Sequence, residues 1–153
     1  MVIEIVSDPF PREAGTVFNK EEIEAAAKAQ NIEIREGDVV LFHTGWLELV
    51  GEDNDRFAQG EPGLGVEGAQ YLADRGVVAV GADTWAVEVI PFEPEAGVFE
   101  VHQTLLAKNG VYILENMNTH ELVADAAWEF MFVLGQPRVE GAVQMIINPI
   151  AIR

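Results

Sequence analysis

Three short stretches, Val39-Val-Leu-Phe42, Val77-Val-Ala-Val80 and Val111-Tyr-Ile-Leu114, are apolar without a break. A strand with one wet face alternates polar and apolar residues. An unbroken run of four fits a strand buried on both faces, as in a parallel sheet with layers packed on either side. Between the first two runs, residues 66–75 carry apolar side chains at Val66, Ala69, Leu72 and Ala73, the spacing of a helix face, and Gly76 follows as its C′ residue. Strand, helix and strand in that order predict a βαβ-like unit. The expected fold class is α/β.

The flanks extend this pattern. Residues 1–6 alternate weakly and read as a further strand, and Asp8-Pro-Phe-Pro11 as an irregular connection. Asn19 and Glu22 have the spacing of a capping box, which opens an alanine-rich helix over 21–30. Arg35-Glu-Gly-Asp38 reads as a tight turn. Residues 48–65 hold four glycines and Pro62 and are expected to form one long loop. After a break at Pro91-Phe-Glu-Pro94, a short helix is expected over 101–108 and a turn or two of helix over 120–127. Two β-rich runs, 128–134 and 142–152, close the chain, with Gln136-Pro137 as a loop between neighbouring strands. No repeat or linker interrupts the sequence. One compact domain over 1–153 is expected, and a chain of this length buries about 68–70% of its unfolded surface.

Composition removes several function classes. Acidic residues number 26 and basic residues 9, a formal net charge of −17. Phosphate binding needs clustered Lys and Arg, so nucleic acid and anionic membrane are not expected partners. The charge has two open readings, a solvated surface that favours solubility and an adaptation to a salty habitat. Cysteine is absent, which excludes disulfides, thiolate metal sites and a cysteine nucleophile. The sole serine, Ser7, lies in no G-x-S-x-G elbow, and Gly60-Glu-Pro-Gly-Leu-Gly65 lacks the Lys and Ser/Thr of a phosphate loop. No run approaches the roughly 20 apolar residues of a membrane span, and no secretory signal is visible, so a cytoplasmic location is expected.

Histidine occurs only at positions 43, 102 and 120. His102 opens the predicted 101–108 helix, and Glu115 follows at the end of the 111–114 strand. A helix start and a strand end joined by a tight turn can bring two side chains to one rim of a sheet. An imidazole with a carboxylate suits zinc, manganese or iron, although such a pair is as readily a plain polar contact. His43 reads most simply as a hydrogen-bonded strand-end residue, and His120 as a surface residue at a helix start capped by Asn118 or Thr119. Asp83 follows a strand and is either a site carboxylate or a cap. A hydrolase relying on Asp83 and Glu115 alone is a further alternative. Trp46 and Trp85 read as pocket walls or as core.

Several of these segments resemble one family in order. Gly37-Asp-Val-Val-Leu-Phe-His-Thr-Gly-Trp46 resembles the GDVVLxxTGW segment of the cyclase family of metal-dependent hydrolases, which includes bacterial kynurenine formamidase and isatin hydrolase. Pro62-Gly-Leu-Gly-Val-Glu-Gly-Ala69 is similar to its PGL helix entry, and Arg75-Gly-Val-Val-Ala-Val-Gly-Ala-Asp-Thr-Trp-Ala86 to its next strand and loop. Val101-His-Gln-Thr-Leu-Leu106 with Gly110-Val-Tyr-Ile-Leu-Glu-Asn116 resembles its HxxLL…GxxxLEN block, and Asn148-Pro-Ile-Ala-Ile152 its closing strand. The resemblance implies a swivelling β/β/α-type domain in dimers or larger oligomers. It also implies hydrolysis of a small amide, cyclic amide or lactone through water on a divalent metal, zinc or manganese. His102 and Glu115 match the family's C-terminal metal-site histidine and glutamate; these two, together with the strand-end Asp83, are the expected catalytic residues. Trp46, Trp85 and Gln144 are expected to contact substrate; Gln144 stands where the family often has a small residue. The family's main metal motif, HxGTHxDxPxH, has no counterpart here. The expectation is a C-terminal portion of the family fold, with further ligands from another chain or an N-terminal half, or else a non-catalytic binding or oligomer-forming derivative.

Overall fold

The apolar runs become strands that few polar side chains interrupt. A computed structural model describes residues 1–5, 13–136 and 138–153. Residues 6–12, among them the Asp8–Pro11 connection, and Pro137 lie outside the described residues. Along the chain come β1 (Val2–Glu4), β2 (Val17–Phe18), α1 (Lys20–Ala29), β3 (Val39–His43), a 3₁₀ turn (Trp46–Leu49) and α2 (Asn54–Gln59). There follow β4 (Gly63–Leu64), α3 (Val66–Asp74), β5 (Ala79–Ala82) and α4 (Glu100–His102), which runs on into a π-helical stretch (Gln103–Lys108). β6 (Tyr112–Leu114), α5 (His120–Ala124), β7 (Met131–Val133) and β8 (Ile150–Ile152) complete the chain.

The main sheet has the order β1-β3-β5-β6 with every pair parallel, and β3–α3–β5 is the expected βαβ unit. Val40 pairs with Val80, and Val80 with Ile113. Both faces are covered. Ile3, Val40, Phe42 and Val80 pack with Ile23 of α1, Leu72 of α3 and Leu105 of the π-helical stretch. Val2, Leu41, Ala79 and Leu114 point the other way, against Trp128, Phe130 and Phe132. This two-sided burial explains the unbroken apolar run of β3. The expectation holds less well for the other two runs, since Val78 lies before β5 and Tyr112 is on the edge strand β6, and both are exposed.

Local signals account for the element ends. The Asn19 backbone N–H donates to Glu22 Oε2 at 2.9 Å, one arm of the predicted capping box. The capping box is present as expected, and the Asn19 side chain also accepts from Gly68 N–H at 2.9 Å, tying the start of α1 to α3. Arg35 N–H donates to Asp38 Oδ2 at 2.7 Å and closes the predicted turn. Gly76, at φ +75°, ends α3 as expected. β7 and β8 pair antiparallel, as neighbouring strands should, although only three residues of each run are paired.

The 48–65 segment departs from expectation. It is ordered by the 3₁₀ turn, α2 and β4 and is not one long loop. The indole N–H groups of Trp46 and Trp85 both donate to the Phe57 carbonyl, at 3.4 and 2.9 Å, and so pin α2. No described helix is long and apolar enough to cross a membrane.

Candidate functional site

Two polar clusters form beyond the carboxyl ends of the parallel strands, where open α/β sheets commonly bind ligands. The first is built on His43, the last residue of β3, and Asp83, the residue after β5. Asp83 Oδ1 accepts from the Thr44 N–H at 2.9 Å and the Thr44 hydroxyl at 2.7 Å, and Oδ2 accepts from the Gly45 N–H at 2.7 Å. His43 Nδ1 stands 2.9 Å from Thr119 Oγ1 and 3.5 Å from Asp83 Oδ2. His43, Asp83 and Thr119 are all buried. Burial pushes the Asp83 carboxyl above the usual range, against the pull of His43 and the Thr44 and Gly45 donors. These three residues line a cleft of about 300 Å³ with His120 and Glu48, whose side chains meet at 3.1 Å. His120 begins α5, and its N–H donates to Asn118 Oδ1 at 3.3 Å.

The second cluster centres on His102. Its Nδ1 stands 2.9 Å from Glu88 Oε2, and its Nε2 3.5 Å from Glu115 Oε1. Glu88 is 1% exposed and also accepts from the Val101 and His102 backbone N–H groups, at 3.1 and 3.4 Å. Glu61, fully buried, accepts from Trp85 N–H at 2.7 Å and Ala86 N–H at 2.9 Å. Hydrogen bonds to Glu115 and then Glu88 raise His102 to about 9, outweighing the desolvation that opposes its charge. Desolvation raises Glu61 to about 8 despite its two backbone donors, and the charge of Glu115 adds to the rise.

The six residues singled out in the sequence therefore separate. His102 and Glu115 come together as expected. Asp83 belongs to the His43 cluster, and no hydrogen bond or ion pair joins it to Glu115 among the described residues; its oxygens cap the turn after β3. Trp46 is fully buried and stacks under Arg56, at 5.3 Å from the guanidinium carbon to the ring centre, so it serves the core. Trp85 anchors α2 through its indole N–H. Gln144 is exposed in the connection between β7 and β8. His43 and His120 take the simpler roles, a hydrogen-bonded strand end and a surface helix start. Glu61 and Glu88 were not anticipated. Their signal was a carboxylate enclosed by apolar neighbours, as in Val87-Glu-Val89, or set directly before Pro62.

The geometry at His102 fits part of a metal's ligand set. Two ligand atoms about 2.1 Å from a zinc ion at a tetrahedral angle stand about 3.4 Å apart. The His102 Nε2 to Glu115 Oε1 separation is 3.5 Å. Glu88 occupies Nδ1 and leaves the Nε2 side of the ring facing Glu115. Among the described residues no group of three or more His, Cys, Asp or Glu could hold an ion, so the pair fits as two corners of a site and not as a whole one.

A family model described as "Putative cyclase" matches residues 1–89, more than half of the chain. This protein belongs to the cyclase family. The match begins well before Gly37, the first of the family-like segments, and ends before His102. Among solved structures, one described as a novel cyclase is 28% identical with a TM-score of 0.83, over 99% of this chain and 52% of that one. An isatin hydrolase bound to the product analogue thioisatinate is 22% identical with a TM-score of 0.76, over 98% of this chain and 57% of that one. Isatin hydrolase A from Ralstonia solanacearum is 23% identical with a TM-score of 0.65, over 79% of this chain and 48% of that one. The isatin hydrolases share the fold. The chain thus spans about half the length of the cyclase-family structures it matches. Comparison with curated proteins gives no match.

Proposed function

We propose that this chain supplies the His102–Glu115 part of a divalent metal site, zinc or manganese, in a cyclase-family hydrolase acting on a small amide, cyclic amide or lactone. The observation that carries this is the 3.5 Å approach of His102 Nε2 to Glu115 Oε1 with Nδ1 already engaged. When bound, the ion lowers the pKa of a water and polarises the substrate carbonyl. His102 and Glu115 would hold it, which requires loss of the His102 proton, so binding strengthens as pH rises. Glu61 and Glu88 keep the surrounding backbone in place. Asp83, outside this cluster, fixes the strand-end turn.

The test is metal retained per chain after loading with Zn²⁺ or Mn²⁺, and turnover of N-formylkynurenine, isatin and simple lactones. His102→Ala and Glu115→Ala are each expected to reduce retained metal by tenfold or more. No metal and no turnover with any divalent ion would overturn the reading for this chain. It would favour the alternative, a non-catalytic binding or oligomer-forming derivative.

We also propose a homo-oligomer, a dimer or larger. Along β7 and β8 the pairs Met131–Ile152 and Val133–Ile150 put four apolar side chains on one face of the ribbon, each 43–59% exposed. Val143 and Ile146, in the connection, are 97% exposed. Contiguous exposed apolar surface of this kind marks an interaction site. Light scattering at micromolar concentration is expected to give at least twice the 16.8 kDa chain mass, reduced by Val133→Lys with Ile150→Lys. A monomeric wild type would contradict this.

A further inference from the structure

We infer that Glu88 is a positioning residue, which fixes the proton of the neutral His102 ring on Nδ1 and presents Nε2 toward Glu115. This rests on the metal-site reading above, but its central observable exists without any metal.

The argument begins at the backbone. Val87 has φ +62°, the left-handed region, where a β-branched residue is a clear outlier. Such a conformation persists where the surroundings fix it, commonly at functional sites. Here hydrogen bonds clamp it on both sides. Leu64 N–H donates to the Val87 carbonyl at 2.8 Å, and Val89 N–H donates to the Leu64 carbonyl at 3.1 Å. Two more non-glycine residues in the left-handed region flank the cluster. Phe99, at φ +52°, precedes the helix and sets its ring edge-on to His102, with centroids 5.1 Å apart. Asn116, at φ +53°, follows Glu115, and its N–H donates to the Thr84 carbonyl at 2.8 Å. Each member of the Glu88–His102–Glu115 row therefore has a left-handed residue within three positions.

The clamped turn aims the Glu88 carboxylate at the start of α4. One carboxylate holds His102 twice, by the backbone N–H at 3.4 Å and by ring Nδ1 at 2.9 Å, and also holds the Val101 N–H at 3.1 Å. Backbone and ring are fixed to the same group, which leaves the imidazole little freedom to turn. Carboxylates face both ring nitrogens, and an ionised carboxylate only accepts hydrogen bonds. The buried Glu88 lies 2.9 Å from Nδ1 while Glu115 lies 3.5 Å from Nε2, so the single proton of the neutral ring stays on Nδ1. In the neutral ring the other nitrogen then has its lone pair free for a ligand role. An amide in place of the carboxylate could present an N–H to Nδ1 and move the proton to Nε2. Outer partners of this type are worth about 10–100-fold in metal affinity.

The experiment uses Glu88→Gln, which keeps the side-chain size, beside wild type and His102→Ala. Histidine-selective ¹⁵N NMR of the metal-free chain, well above the His102 value of about 9 so that the ring is neutral, reads the tautomer. Wild type is expected to show the His102 proton on Nδ1, and Glu88→Gln to shift it partly or wholly to Nε2. Competition with a chromophoric chelator for Zn²⁺ is expected to show a Kd raised 10–100-fold in Glu88→Gln. An Nε2–H tautomer in wild type overturns the inference whether or not the variant folds. If wild type binds Zn²⁺ and His102→Ala does not, an unchanged Kd and tautomer in folded Glu88→Gln overturn it while the metal-site reading stands. If wild type binds no Zn²⁺, the metal-site reading fails, and the tautomer alone decides the role of Glu88.

Discussion

Replacing Gly63 with alanine is expected to lower the melting temperature by about 10 °C or more, or to prevent folding. A Cβ at Gly63 would lie 2.5 Å from the Glu88 carbonyl carbon and 2.6 Å from both the Val87 oxygen and the Val89 nitrogen. All three are backbone atoms, so no rotamer change gives relief. The 87–89 segment and β4 would have to part, weakening the two hydrogen bonds between Leu64 and Val87–Val89. Overpacking costs typically 1–3 kcal/mol, and each lost hydrogen bond about 0.5–1.5 kcal/mol net. A total of about 4 kcal/mol corresponds to roughly 10 °C for a domain of this size. Gly135 has nothing within 4 Å of a built Cβ, so Gly135→Ala is the control and should melt as wild type does. Thermal melts followed by circular dichroism compare the two. Equal melting temperatures would mean that the close approach of β4 to residues 87–89 is misjudged.

The second large effect is expected at Glu61. Its folded-state pKa is about 8 against an ordinary 4.5. Between these values the folded chain keeps a proton that the unfolded chain has lost. Stability is therefore greatest below about pH 4.5 as far as this group is concerned, and falls as pH rises toward 8, by at most about 1.4 kcal/mol per pH unit. His102, raised to about 9 from 6.5, adds a loss of the same sign between those values. Glu61→Gln should flatten the slope between pH 5 and 6.5, where His102 contributes little. Glu61→Ala should cost about 2–5 kcal/mol at neutral pH, because it leaves the Trp85 and Ala86 donors buried without a partner. Denaturant titrations across pH read both. A Glu61→Gln profile parallel to that of wild type would show that Glu61 does not hold the proton.

The strands were legible because their cause is local. A parallel strand buried on both faces must be apolar at every position, and residues 39–42 are. The runs at 77–80 and 111–114 mark strands too, but pairing starts at Ala79 and Tyr112, and Val78 and Tyr112 are 47% and 58% exposed. The start of α1 was legible because Asn19 and Glu22 meet within one turn. The order within 48–65 was not, because it depends on contacts between distant residues. Trp85 reaches Phe57 across 28 positions, and neither residue belongs to a periodic pattern that would announce the contact. The site divided in the same way. His102 and Glu115 followed from scarce histidine and a strand end. Glu61 and Glu88 run against the general rule that carboxylates stay at the surface. Backbone donors enclose both, and the His102 ring adds a partner for Glu88. Asp83 stands where a site carboxylate would, but the Thr44–Gly45 turn takes up its lone pairs.

The most direct test of the central claim is anomalous scattering from crystals of this chain grown with Zn²⁺. A peak within bonding distance of both His102 Nε2 and Glu115, with Glu88 still on Nδ1, is the predicted result. A peak at His43 or His120 instead, or no peak with His102 still closed against Glu115, would contradict it.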